Sequence, residues 1–463
     1  VNPKEKELFE NCGVSKAIFR LAFPTVIGQI ILVVYNMADI FFVGLAGNDA
    51  MMTAVTVCMP AFMFLSAISN LFGVGGASVI SRALGKRKED RVKAASAFAF
   101  WGCLATVLLY SGLAFVGRHL FADLLGGTDP AVHQNAVEYL VVTVVIGGAA
   151  TSMGGLFSHL IRSEGRSVHA SAGIMLGGVL NIALDPLFMF VLLPPGREAL
   201  GAAIATALSN FISLLYFIVV QAAIRKKSLL SYRYTSRMWY NRVPAAVLTA
   251  GLPACIMTLF ENISYAMLDK LMSLSGLAMQ TGVGVAKKIN MLAHCIVRGI
   301  AQGALPLIGY SCAAGNWERM RKAIRTAHWT AVGTACLCVA INLIFARQLT
   351  GIFIHHESPS LCYGEAFLHI LCVGGPFSAS AYTYISFFQA TGEGKKSFFL
   401  ALLRKGLVDI PLMFLLNPLW PAYGIVLATP VADALCCAAA NGMYRKYLRE
   451  KTGDIGQIRA EPV

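Results

Sequence analysis

Asp39 is the only charged residue between Leu21 and Gly47, a stretch long enough to cross a lipid bilayer. An acid inside such a segment costs about 2.5–3.5 kcal/mol to insert, so it faces protein or water and marks a functional group by default. Helical spacing puts Gln29, Asn36 and Asp39 on one stripe, seven and then three residues apart, with Tyr35 one turn before Asp39. Asn181 and Asp185, four apart in LNIALDPLFMF, form a second polar pair. Carboxylate and amide oxygens suit a proton or a hard cation. The plainer reading is interhelical hydrogen bonding that holds the N-terminal half together. Further along, Glu261 follows Pro253 by eight residues in GLPACIMTLFENISYAML and is a candidate for a cavity wall. Lys287 and Lys288 open the next apolar segment, where one snorkels and Lys287 is expected to line the cavity.

These groups need helices to position them, and composition says which kind. The 463 residues are 57% hydrophobic and 13% charged, with a mean hydropathy of +0.65. Soluble domains carry nearer a quarter charged residues, so the chain reads as an all-α polytopic membrane protein. Runs of about 20 apolar residues mark twelve spans, at 18–46, 51–83, 92–117, 133–162, 167–193, 200–224, 243–273, 280–312, 321–346, 360–391, 397–418 and 423–445. Most of the 38 basic residues fall in the N-terminus, the even-to-odd turns and the C-terminal tail. The opposite loops carry only Arg118, Arg197 and Arg347. The positive-inside rule then puts both termini in the cytoplasm, with the chain in the plasma membrane. Charge dispersed in this way explains the net +14 and excludes nucleic acid as a partner. The N-terminal stretch has no short apolar core before a cleavage site, so no cleaved signal peptide is expected. The twelve cysteines lack metal or redox spacing and read as packing residues. No HExxH, GxSxG or P-loop occurs, so the chain is not expected to be an enzyme, and no cofactor is expected.

The chain repeats itself. AFPTVIGQ (22–29) precedes GLPACIMT (251–258) by 229 residues, and Gly47 precedes Gly276 by the same distance. RSEGRS (162–167), DPLFMF (185–190) and GAAIAT (201–206) meet TGEGKK (391–396), IPLMFL (410–415) and GIVLAT (424–429) in the same order. The expected organisation is an N-terminal six-helix lobe (1–225), a cytoplasmic linker (226–242) and a C-terminal lobe with its tail (243–463). The two bundles are related by a pseudo-twofold axis along the membrane normal. The repeat also serves as a control. It pairs Asp39 with Leu268, Asn181 with Gly406 and Asp185 with Ile410, so the fold forms without those polar groups in its second half. Thr206 pairs with Thr429, so for it a small packing role stands beside a functional one.

AFPTVIGQ with its following Asp, GGASVISRALGKRKED, RSEG, LNIALDPLFMF, GAAIAT and GLPACIMTLFE together resemble the MATE (multidrug and toxic compound extrusion) family, bacterial type, from about residue 15 to 448. The resemblance implies a multidrug efflux antiporter that exports small cationic amphipathic compounds by alternating access. It implies a cation-coupling site at Asp39, Asn181, Asp185 and Thr206. A second site in some members needs acids on spans seven and ten. Glu261 matches the first of these, and Ser380 stands at the second, so that pair is incomplete. Gln29, Tyr35, Asn36, Glu261, Lys287 and Tyr382 are the expected cavity residues, and Pro24 the expected hinge of the first helix. Two nearby carboxylates in a low-dielectric site do not both stay ionised, so H⁺ or Na⁺ neutralises them. The chain is expected to work as a monomer in the bilayer. The alternative is a flippase for lipid-linked oligosaccharides, which shares the wider architecture and would need a strongly basic cavity.

Overall fold

The computed structural model describes residues 7–45, 49–125, 130–239, 242–354 and 358–460. Gly47, one partner in the repeat, lies outside them. The described elements are helical, as a lipid-embedded chain requires: with no water to satisfy it, the backbone must bond within each segment. The N-terminal half contains α1 (Val14–Leu45), α2 (Asp49–Gly85), α3 (Glu89–Val116), α4 (Pro130–Leu140, Val141–Ile146 and Gly148–Ser163), α5 (Ser167–Leu187, then Phe188–Leu192) and α6 (Glu198–Ile224). The second half contains α7 (Val243–Ser275), α8 (Leu277–Ala313), α9 (Trp317–Ile344), α10 (Pro359–Val373 and Gly375–Thr391), α11 (Gly394–Leu402, Leu403–Asp409 and Ile410–Leu416) and α12 (Tyr423–Ala460).

The expected all-α architecture of twelve spans in two bundles is the one found. Among the described residues, nine helices are long and apolar enough to cross a membrane singly, and α4 makes ten with its 45° bend counted as one span. The remaining two, α10 and α11, are divided into shorter helical pieces. Gly374 separates the pieces of α10, and a π-helical turn over Leu403–Asp409 interrupts α11. Such turns take up one extra residue and are frequent at functional sites.

The bundles meet along α2 with α7 and α1 with α8. Small residues permit this. A Cβ on Gly251 would fall on the Leu71 carbonyl, and one on Gly75 would fall on that of Val247. Backbone cannot yield as a side chain can, so these helices cross at glycine. The apolar core divides unevenly between the two ends. At the end bearing the basic turns, one cluster runs through both lobes, from Leu21 and Ile80 to Leu307 and Phe387. At the far end, the cluster around Val55 and Leu140 belongs to the first lobe alone, and that around Phe367 and Ile425 to the second. The lobes are thus joined at the basic end and separate at the other.

Polar contacts reinforce the joined end. Tyr310 donates its hydroxyl to Glu10 Oε1 at 2.6 Å and stacks on Phe9 with centroids 4.9 Å apart. Arg319 donates to the Cys12 carbonyl at 2.7 Å, and Ser78 Oγ to that of Gln389 at 2.5 Å. The segment between the lobes is tied to the first lobe by the RSEGR turn. Buried Glu164 accepts from Ser228 Oγ at 2.7 Å and from the Leu229 amide at 2.9 Å. Gly165 follows with φ +86°, a conformation other residues rarely adopt.

Candidate cation site and central cavity

Asp39, from α1, meets Asn181 and Asp185 from α5 and Thr206 from α6. All four are buried, at 4%, 1%, 0% and 4% exposure. The Asn181 amide donates to Asp185 Oδ1 and to Thr206 Oγ1, both at 3.2 Å. The Asp39 and Asp185 carboxyls are close enough to interact electrostatically across the packed pair α1 and α5. Pro186, next in the helix, removes the bond to the Ile182 carbonyl. Among the described residues, Asp39 Oδ1, Asn181 Oδ1 and Asp185 Oδ2 are buried with no hydrogen-bond partner, and neither acid is in an ion pair. Buried oxygens are normally satisfied, so three orphans on one cluster need an explanation. A proton or an oxygen-coordinated monovalent cation fits that donor set.

Below this cluster a cavity of ≈ 280 Å³ lies between the lobes. Gln29, Tyr35, Asn36, Glu261 and Tyr382 line it. Asp39, Asn181, Asp185 and Thr206 do not, although Tyr35 and Asn36 precede Asp39 by about one turn of α1. Lys287 is a correction to the sequence reading. It is absent from the wall because Asp269, across the α7–α8 hairpin, takes its ammonium at 2.6 Å. Glu261 is not a free acid either. Arg298 donates to Glu261 Oε2 at 2.7 Å and to Tyr382 Oη at 3.1 Å, and Tyr382 donates to Glu261 Oε1 at 3.1 Å. Arg162, buried at 3% exposure, adds a second guanidinium to the wall. Pro24 lies within the continuous helix α1.

A family model described as MatE matches residues 24–187 and 253–415, one match in each lobe. The chain belongs to the MatE family. It is 26% identical over 439 residues to "Multidrug export protein MepA" of Staphylococcus saprophyticus, covering 94% of this chain and 95% of that one. Its fold is that of "Crystal structure of MATE in complex with MaL6", at TM-score 0.89 and 23% identity, covering 97% of this chain and 99% of the other. It is equally similar to the "Outward-facing conformation of a multidrug resistance MATE family transporter of the MOP superfamily", at TM-score 0.87, 23% identity and the same coverages. Family membership makes it a multi-pass membrane transporter and not an enzyme.

This MatE chain also holds charged groups to which sequence reasoning gave no role. Arg404, Lys405, Asp409 and Asp433 are all at 1% exposure or less. Arg404 Nε donates to Asp433 Oδ1 at 2.6 Å, and its Nη2 donates to Ser378 Oγ at 2.8 Å. Lys405 Nζ donates to Asp409 Oδ2 at 2.9 Å, beside Ser264 Oγ at 2.6 Å. Thr429 donates to Asp409 Oδ1 at 3.0 Å. Buried acids therefore occur in both lobes, and the repeat control needs correction. Aligning the prolines of DPLFMF and IPLMFL pairs Asp185 with Ile410, but the π-helical turn ending at Asp409 shifts the register by one. Three charges inside LLRKGLVDIPLMF were the visible signal.

Proposed function

We propose that this chain exports small amphipathic organic cations by alternating access, driven by inward movement of H⁺ or Na⁺ through Asp39, Asn181, Asp185 and Thr206. The observation that carries the proposal is the set of three orphaned oxygens, one each on Asp39, Asp185 and the Asn181 amide, with neither acid in an ion pair among the described residues. Two such acids discharge their mutual repulsion only by taking up a cation. The named multidrug exporter among the relatives supports the cargo class. So does a cavity near the lower bound of drug-sized pockets, about 300–1,000 Å³. Its wall includes the Tyr35 ring and the Gln29, Asn36 and Gln302 amides, groups suited to an organic cation and its polar substituents. With the basic loops in the cytoplasm, the joined end is the inner one and the lobes part outward. In this reading, cation entry from outside changes the packing of α1 about Pro24 and favours release of the compound. Return of the cation to the cytoplasm resets the carrier.

The test is proteoliposome transport of ethidium under an imposed Na⁺ gradient, then under an H⁺ gradient, with voltage clamped. Either gradient should drive export, and Asp39→Asn should abolish it while the protein stays monodisperse. Gradient-driven transport by Asp39→Asn at the wild-type rate would sink the scheme. One observation favours the flippase reading: the guanidiniums of Arg162 and Arg298 on the wall suit a phosphate. The cavity is small for an oligosaccharide, and translocation of an undecaprenyl-linked saccharide without ethidium export would reverse the choice.

A further inference from the structure

The two lobes treat the same polar position differently. Asn181 and Asp185 are four apart on α5, with Thr206 on α6. Lys405 and Asp409 are four apart on α11, 224 residues later, with Thr429 on α12 in the repeat position of Thr206. In the first lobe the amide bridges Asp185 Oδ1 and Thr206 Oγ1, and Asp39 contributes a second acid. In the second lobe Asp409 takes Lys405 Nζ at 2.9 Å and Thr429 Oγ1 at 3.0 Å. The α7 counterpart of Tyr35, Ser264, supplies the third contact at 2.6 Å. Leu268, buried at 1%, stands where Asp39 does. We propose that the second lobe carries the repeat-related counterpart of the cation site, occupied by the chain's own Lys405 ammonium, and that replacing Lys405 opens it to a monovalent metal cation.

Three features support this assignment. Lys405 and Asp409 are as deeply buried as the first-lobe pair, so the ammonium has exchanged water entirely for protein ligands. The ammonium is held by the Asp409 carboxylate, which the Ser264 and Thr429 hydroxyls also bond, and the Tyr265 ring lies 5.3 Å from Nζ, a setting suited to a bound cation. Charge is also balanced across that lobe: Lys405 with Asp409, Arg404 with Asp433 and Arg298 with Glu261. Asp39 and Asp185 have no such partner in any ion pair among the described residues. A fixed cation in one lobe leaves a single lobe to exchange cations, so coupling is confined to the first.

The inference rests on the reading of Asp39 as a cation ligand, and its test is independent of transport. Saturable ²²Na⁺ binding is measured on purified full-length protein at fixed pH, for Asp39→Asn and for Asp39→Asn/Lys405→Asn. The second substitution restores the Asn-Asp-Thr set of the first lobe. The double variant should gain a saturable site that the single variant lacks, and Asp409→Asn should remove it again. If the double variant is poorly folded, Asp39→Asn/Lys405→Gln is melted in Na⁺ and in choline, and Na⁺ should raise its Tm selectively. Folded Lys405 variants that neither bind Na⁺ nor gain Tm from it would overturn the proposal, as would saturable Na⁺ binding by Asp39→Asn with Lys405 intact. Absence of coupled transport in the wild type would count against the proposed function and leave these binding results as they stand.

Discussion

Neutralising Asp433 and neutralising Asp39 should have opposite consequences, although both are acids buried within spans. Asp433 faces Arg404, whose side chain is fully buried. The guanidinium makes two hydrogen bonds, to Asp433 and Ser378, lies 4.2 Å from the Tyr382 ring centroid, and leaves Nη1 without a partner. Asp433→Asn keeps the shape and removes the counter-charge. Breaking a buried pair from one side costs about 3–5 kcal/mol, and the ring supplies about 2 kcal/mol at best in the desolvated limit. At roughly 2–4 °C per kcal/mol for a lobe-sized unit, Tm should fall by about 6–20 °C. Asp39 has no protein cation to strand and carries an orphaned oxygen, so Asp39→Asn should leave Tm unchanged or raise it. Thermal melts in detergent, followed by size exclusion, measure both. Arg404→Met in the Asp433→Asn background should recover most of the loss, since it removes the stranded charge. An Asp433→Asn protein as stable as wild type, or an equal fall in Asp39→Asn, would refute the division between structural and exchangeable acids.

Two further perturbations address the joined end and the lobe contact. Tyr310→Phe removes the hydroxyl held by Glu10 at 2.6 Å. A hydrogen bond to a charged group contributes about 1.5–3 kcal/mol, so the equilibrium between the two accesses should move roughly 10- to 100-fold toward opening of the basic end. Electron-resonance distances between labels at Lys88 and Lys395 should then show a longer population, and an unchanged distribution would mean that this bond does not hold the end closed. Gly251→Ala drives a methyl into the Leu71 backbone, whereas a Cβ on Gly112 meets nothing within 4 Å. Monodisperse yield should drop at least about tenfold for the first and stay level for the second, and equal yields would contradict the close α2–α7 crossing.

The fold was legible because lipid imposes it. Twelve apolar runs between charged turns leave little choice of architecture, and the repeat divides them into two sixes. Asp39, Asn181 and Asp185 were legible as singular polar groups in apolar helices. What the sequence hid were partners and register. Nothing in the linear order says that Asp269 reaches across a hairpin to take Lys287 from the cavity, or that Arg298 neutralises Glu261. The π-helical turn in α11 was hidden as well, since an extra residue in a helix leaves no compositional mark and displaces a repeat alignment by one.

That displacement matters for mechanism, because it reverses what the repeat says about Asp39. With Asp185 set against Ile410, the second lobe has discarded the polar group, and asymmetry follows from loss. With Asp185 set against Asp409, the acid is kept in both lobes and what differs is its cation: a tethered ammonium in one and none from the protein in the other. A buried carboxylate without a counter-charge is costly wherever it stands, so a chain keeping one in each lobe must neutralise both. It does so with the ammonium of its own Lys405 where the lobe is to stay fixed. Where the acid is left for a diffusible cation, occupancy depends on the gradient, and that dependence is what a coupled transporter requires of its coupling site.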